Sequence, residues 1–199
     1  MRKDTIEIRR QAVHAAGVLM AVLVLFVDRP FAVAVISAIL AFFLLWAVWR
    51  KTVLYKIRIF RPLERIAEYF VSAYERPAAP ALYGAITFFT GALVAVLLFG
   101  KMVAAAAIAV LAIADAAATL IGYYFGTHKL LINRAKSLEG SIIFFLAAAA
   151  VLLVFVSPIR AALTATAVAL VETLPGIDDN ISIPIATGAM LTILYYLNI

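Results

Sequence analysis

The sequence predicts an all-α membrane protein, a polytopic bundle of about seven transmembrane helices with one amphipathic helix lying in the cytoplasmic interface. Three observations predict it. Of 199 residues, 66% are hydrophobic and 14% are charged, where a soluble domain carries about 25% charged residues. Mean hydropathy is +1.09. Apolar stretches of roughly spanning length, about 20 residues each, follow one another from end to end. Hydrocarbon leaves no backbone group a water partner, so an open sheet is excluded and the spans are helices. The chain reads as a single integral membrane domain, 1–199, with no room for a separate soluble one. Cysteine is absent, which excludes disulfides, thiolate nucleophiles and Cys-ligated metal. The net charge of +6 points to lipid headgroups and topology rather than to nucleic acid.

The first span runs from Ala12 to Val27 and stops at Asp28-Arg29-Pro30. Asp4 and Glu7 before it argue against a cleaved signal peptide. The second covers Phe31–Trp49, the third Ala81–Phe99, the fourth Met102–Phe125 and the fifth Ser141–Val156. The sixth, Ile159–Leu174, is short and rich in Ala and Thr, and the seventh covers Ile181–Leu197. Between the second and third spans lies a polar segment, about residues 50–77. Pro62 can open a helix there, and Leu63, Ile66, Ala67, Phe70, Val71 and Tyr74 share one face of it. With the N-terminus inside, 14 of the 17 Lys and Arg residues fall on the inner side, and only Arg29, Lys101 and Arg160 fall outside. That asymmetry sets a cytoplasmic N-terminus and an external C-terminus.

Ionisable side chains inside spans are expensive and therefore single out candidate functional positions. Asp115 lies in the inner half of the fourth span, and Thr119, Gly122 and Gly126 continue its stripe at intervals of four, three and four residues. Such a stripe faces a cavity, or the carboxylate pairs with a buried Arg or His for packing. The inner loop 126–141 carries Lys129, Arg134 and Lys136, then Ser137, Glu139 and Gly140 at the start of the fifth helix. Ser137 suits an N-cap. A helix N-terminus with basic neighbours suits phosphate. Glu172, Asp178, Asp179 and Asn180 gather oxygen donors between the last two spans, a type of set that suits Mg²⁺. His14, after Arg9-Arg10, is a further candidate. An anion site, an intramembrane carboxylate and an acidic cluster on one face are the equipment for phosphoryl or nucleotidyl transfer to a membrane-dissolved acceptor. No Walker A, protein-kinase glycine loop or His/Glu zinc motif is present.

The segments Asp115-Ala-Ala-Ala-Thr-Leu-Ile-Gly122, Phe125-Gly-Thr-His-Lys129 and Lys136-Ser-Leu-Glu-Gly-Ser141 resemble the CTP-dependent lipid-alcohol kinases. That family comprises the dolichol kinases, phytol kinases and yeast-type diacylglycerol kinases. Glu172, Asp178-Asp179-Asn180 and Pro184 resemble its C-terminal block, and Arg9-Arg10 with His14 its N-terminal element. Ala114 stands where the family has Gly. The CDP-diacylglycerol synthases carry a similar central block.

The resemblance implies transfer of the γ-phosphoryl group of CTP to the hydroxyl of a lipid alcohol, of dolichol/polyprenol or phytol/geranylgeraniol type, with Mg²⁺ as the cation. Asp115, Lys136 and Glu139 are then the catalytic set. Lys129, Arg134, Ser137, Gly140, Gly122 and Gly126 bind nucleotide phosphates. Glu172, Asp178, Asp179 and Asn180 serve the metal, with Asp115 and Glu139 as rivals for it. Removing Lys136 or Asp115 is expected to abolish turnover and leave the bundle folded. The partners expected are CTP, the lipid alcohol and membrane lipids; a homo-oligomer is compatible with all of this. Two alternatives use the same residues otherwise: a cytidylyltransferase making a CDP-lipid, and a small transporter with Asp115 as its relay.

Overall fold

The computed structural model describes residues 3–51, residue 65 and residues 82–199; among these the regular elements are all helices, with no strand. The elements are α1 (Lys3–Ala16), α2 (Val18–Phe26), α3 (Arg29–Trp49), α4 (Tyr83–Leu98), α5 (Lys101–Val110), a π-helical turn (Leu111–Asp115), α6 (Ala116–Phe125), α7 (Leu138–Leu152), α8 (Pro158–Glu172) and α9 (Asp179–Tyr196). They make seven rods, because α1 runs into α2 through Gly17 and α5 into α6 through the π turn. Each predicted span has its helix, with ends within a few residues except at the first, whose rod begins at Lys3 rather than Ala12. Three rods, Thr5–Phe26, Arg29–Trp49 and Lys101–Phe125, are long and apolar enough to cross a membrane. The remaining four are shorter. The interfacial helix predicted within 50–77 lies outside the described residues.

Local chemistry sets the helix starts. Asp28 accepts a hydrogen bond from the Phe31 amide at 3.2 Å, with Pro30 in the first turn of α3. Ser137 Oγ accepts from the Gly140 amide at 3.2 Å and caps α7. Pro158 opens α8. Asp178 accepts from the Asn180 amide at 2.9 Å at the start of α9. Each cap satisfies an amide that the first turn leaves without a partner. At the opposite end, Arg29 donates to the Leu97 carbonyl and Arg160 to that of Ile199. Cations there complement the C-terminal ends of α4 and α9.

The α5–π–α6 rod is the axis of the bundle. Ala104 through Ala112 are buried on every side, without interruption. A helix apolar all round belongs in the interior, and its small side chains let neighbours approach closely. α2, α4, α7 and α9 all pack against α5. α7 also packs on α6 and on the π turn, and α1 reaches the same turn. α3 is carried on α4, where Phe43 and Phe89 stack with centroids 5.7 Å apart.

Three glycines mark backbone-to-neighbour contacts. A Cβ on Gly91 of α4 would stand 1.9 Å from the Asn180 carbonyl oxygen of α9. One on Gly17 would meet the Phe88 ring at 2.3 Å, and one on Gly188 the Phe99 ring at 2.1 Å. These contacts fix α4 against α9 and against the α1–α2 junction; those of Gly91 and Gly17 adjoin the polar end of the bundle, and that of Gly188 the other end of α4.

Candidate active site

The loop between α6 and α7 folds back on itself. The Leu138 amide donates to the His128 carbonyl at 2.9 Å, and the Leu130 amide to the Lys136 carbonyl at 3.1 Å. Glu139, one residue inside α7, ties the loop down. Its carboxylate accepts from the Thr127 hydroxyl at 2.7 Å, the Thr127 and His128 amides at 3.2 and 3.1 Å, and pairs with His128 Nδ1 at 2.6 Å. The Thr127 hydroxyl and the His128 side chain, with the nearby amides, hold the Glu139 carboxyl well below its ordinary range. Predicted as catalytic, Glu139 is thus engaged in shaping the loop. Lys129 and Arg134 stand exposed on it.

This folding delivers Lys136 to the far side of the loop, facing α8 and α9. Its ammonium group lies 2.8 Å from Glu172 Oε1 and 2.9 Å from both Asp179 carboxylate oxygens, and also donates to the Glu172 carbonyl. An ammonium has three protons to donate, and these partners use them. Glu172 is buried at 5% exposure, and its second oxygen accepts from Ser141 Oγ of α7 at 3.2 Å. Burial works against the charge on Lys136, but the Asp179 and Glu172 carboxylates outweigh it and hold the group above its ordinary value. Lys136 is therefore more than a free phosphate ligand. It is the counter-charge of two acids, so removing it strains the fold as well as the site.

Asp115 closes the π turn, within electrostatic reach of Lys136, Asp179, Glu172 and Arg10. Its Oδ2 is 3.3 Å from His14 Nε2. His14 Nε2 is also 3.2 Å from the Leu111 carbonyl oxygen, at the start of the same turn. The Phe88 ring meets the imidazole edge-on at 5.3 Å. Two turns back on α1, Glu7 pairs with Arg10 at 2.5 Å and accepts from Gln11 at 3.0 Å. A polar track therefore runs along α1 to the π turn.

The predicted acidic set divides. Asp179 and Glu172 face Lys136. Asp178 caps α9, and Asn180 donates to Thr87 of α4 at 2.8 Å while its Oδ1 stays buried without a partner. Among the described residues no three His, Asp or Glu side chains converge as a metal-holding group. Glu172 and Asp179 nonetheless share a single ammonium, Lys136, and both are hard oxygen donors. That set suits a Mg²⁺ ion that arrives with nucleotide phosphates and asks one or two carboxylates of the protein, rather than an all-protein cage.

The glycines of the predicted phosphate loop have packing roles. Gly122 and Gly140 face each other where α6 crosses α7, and a Cβ on Gly140 would lie 3.1 Å from the Ala118 carbonyl oxygen. A Cβ on Gly126 would meet the Gly122 carbonyl oxygen at 2.2 Å. Four predicted residues are thus brought to one end of the bundle: Asp115, Lys136, Glu172 and Asp179. Sequence reasoning missed Ser141 and Thr87 as their neighbours. Ser141 closes the Lys136–Ser141 motif and was open to notice, whereas nothing in the sequence around Thr87 marks it. Compared with family models, with curated proteins and with solved structures, the chain finds no match.

Proposed function

We propose that this chain is a multi-pass membrane enzyme that transfers the γ-phosphoryl group of CTP to the hydroxyl of a lipid alcohol. Its seven helices all cross the bilayer in this reading, with the N-terminus and the site on the cytoplasmic side. One observation carries the reading. In a largely apolar bundle, Asp115, Lys136, Glu172 and Asp179 gather at one end, from the π turn, the α6–α7 loop, α8 and α9. Phosphoryl transfer asks for such a set, since it rests on positioning and charge neutralisation more than on covalent chemistry. CTP as donor and the class of alcohol come from the motif resemblance.

In this reading the triphosphate competes for the Lys136 ammonium, with Lys129 and Arg134 drawing phosphate oxygens from the loop surface. Mg²⁺, held by Glu172 and Asp179, would supply charge neutralisation on the phosphate oxygens. The lipid hydroxyl enters from the bilayer beside Asp115. Asp115 takes its proton, the alkoxide oxygen bonds to the γ-phosphorus, and the bond from that phosphorus to the β–γ bridging oxygen breaks. CDP leaves, and the proton on Asp115 passes to water.

The test is purified protein in detergent with a prenol, diacylglycerol, Mg²⁺ and CTP labelled separately at the α- and γ-phosphates. The expected result is γ-label on the lipid with CDP released, and its loss in Asp115→Asn. Label from the α-position with pyrophosphate released, given a phospholipid acceptor, would instead mark a cytidylyltransferase. No transfer from either position to any acceptor would leave the buried ionic cluster to a transport function. Near-normal turnover in Asp115→Asn would overturn the mechanism.

A further inference from the structure

We infer that His14 is a positioning residue for Asp115, fixing which carboxylate oxygen meets the acceptor hydroxyl; the inference rests on the kinase reading above. The tautomer follows from the contacts. His14 Nε2 lies 3.2 Å from the Leu111 carbonyl oxygen, and a carbonyl oxygen only accepts, so Nε2 carries a proton. That same N–H faces Asp115 Oδ2 at 3.3 Å. A single donor thus spans the π turn, touching its first residue through the backbone and its last through the side chain. Bulges of this kind displace backbone carbonyls from the regular ladder, and they recur at functional sites.

The imidazole is itself held. Phe88 meets it edge-on, and Phe88 is seated by the bare Cα of Gly17, where any Cβ would collide with the ring. His14 and Asp115 are both mostly buried, with side chains 15% and 16% exposed. With Nε2–H committed, His14 Nε2 cannot take a proton from the carboxyl group, so it orients Asp115 rather than relaying from it. Asp115 Oδ1 is the oxygen that His14 does not hold, and it is the one assigned to the hydroxyl proton. This is how a base on a helix keeps one geometry when its neighbours Lys136 and Asp179 exchange partners during nucleotide binding.

The test compares wild type, His14→Phe, His14→Gln and His14→Asn for kcat, for KM of CTP and of the alcohol, and for Tm. Glutamine places an amide N–H about where Nε2 lies, asparagine falls short of it, and phenylalanine fills the space without a donor. The expected result is a fall in kcat of about 10- to 100-fold in His14→Phe, the scale of a misplaced catalytic group. KM for CTP should stay within about twofold, and His14→Gln should recover most of the rate. Should His14→Phe fail to fold, the pair His14→Gln and His14→Asn carries the test, with Gln the faster by about tenfold. Equal rates in Gln and Asn, or a kcat for His14→Phe near wild type, would overturn the role alone. A wild-type protein that transfers no γ-phosphoryl would overturn the kinase reading and this role with it.

Discussion

Lys136 and Asp179 lie 43 positions apart in the chain, and the ammonium of one bridges both carboxylate oxygens of the other at 2.9 Å. With Glu172 on the same nitrogen at 2.8 Å, the contact ties the α6–α7 loop to the ends of α8 and α9. Removing one partner of a buried pair strands the other's charge. Lys136→Met should therefore destabilise the protein by about 3 kcal/mol. Adding Glu172→Gln should return part of that loss, a coupling that a double-mutant cycle reads directly. Unfolding in detergent, followed by helicity, is the measurement. Single and double variants of equal stability would show that the cluster is solvated rather than structural.

The Glu139 contacts make the loop acid-sensitive. Its folded carboxyl titrates below its ordinary value of 4.5 because Thr127 and His128 donate to the ionised form. A depressed acid stabilises the folded loop above its ordinary value and loses that contribution as pH falls through the folded one. Amide exchange in residues 127–138 should thus accelerate from about pH 4.5 downward, relative to the α5 core. Glu139→Gln should show the faster exchange already at neutral pH. A loop equally protected in both proteins would remove Glu139 from this role.

Two glycines on the same helix make a matched pair. Gly91→Ala drives a Cβ onto the backbone of Asn180, whereas Gly84→Ala meets nothing within 4 Å. The first should lose about 2 kcal/mol by overpacking and force α4 from α9. The second should be neutral or gain up to about 1 kcal/mol from helix propensity. Because Asn180 adjoins Asp179, Gly91→Ala should also lower turnover. Similar Tm values for the two variants would mean that the helices part without penalty.

Lys129 and Arg134 stand exposed on the loop, so replacing either by Ala should leave stability within about 0.5 kcal/mol. On the kinase reading each should raise KM for CTP several-fold with kcat little changed, and the effect should shrink at high salt. An unchanged KM in the double variant would confine phosphate binding to Lys136.

Much of this was legible in the sequence, for identifiable reasons. Spans are read from apolar length, and the start of α7 from Ser137, which acts on an amide within its own turn. Asp115 stands out because charge is rare in apolar segments, and Lys136 as one of three basic residues in the loop that opens the fifth helix. The acidic block was read as one cluster, since adjacency in sequence was taken for convergence. On a helix, neighbours point about 100° apart. Hence Asp178 turns to the backbone, Asp179 to Lys136 and Asn180 to Thr87. The His14–Asp115 pair joins residues 101 apart through tertiary packing alone, and no local pattern announces which helix lies beside which.

The π turn has a consequence for the whole central rod. It acts as one residue too many in an otherwise regular coil, so the faces before and after it fall out of phase. Winding the same residues there as a straight α-helix would rotate everything beyond the turn by about 100°. Gly122 would then turn away from Gly140, the contact by which α6 crosses α7. The run Ala104–Ala112 serves one set of neighbours, and the segment from Asp115 to Gly126 serves another. No uniform helix of that sequence presents both faces correctly. The wide turn is therefore a phase correction, which lets one rod present Ala104–Ala112 to one set of neighbours and Asp115 to another.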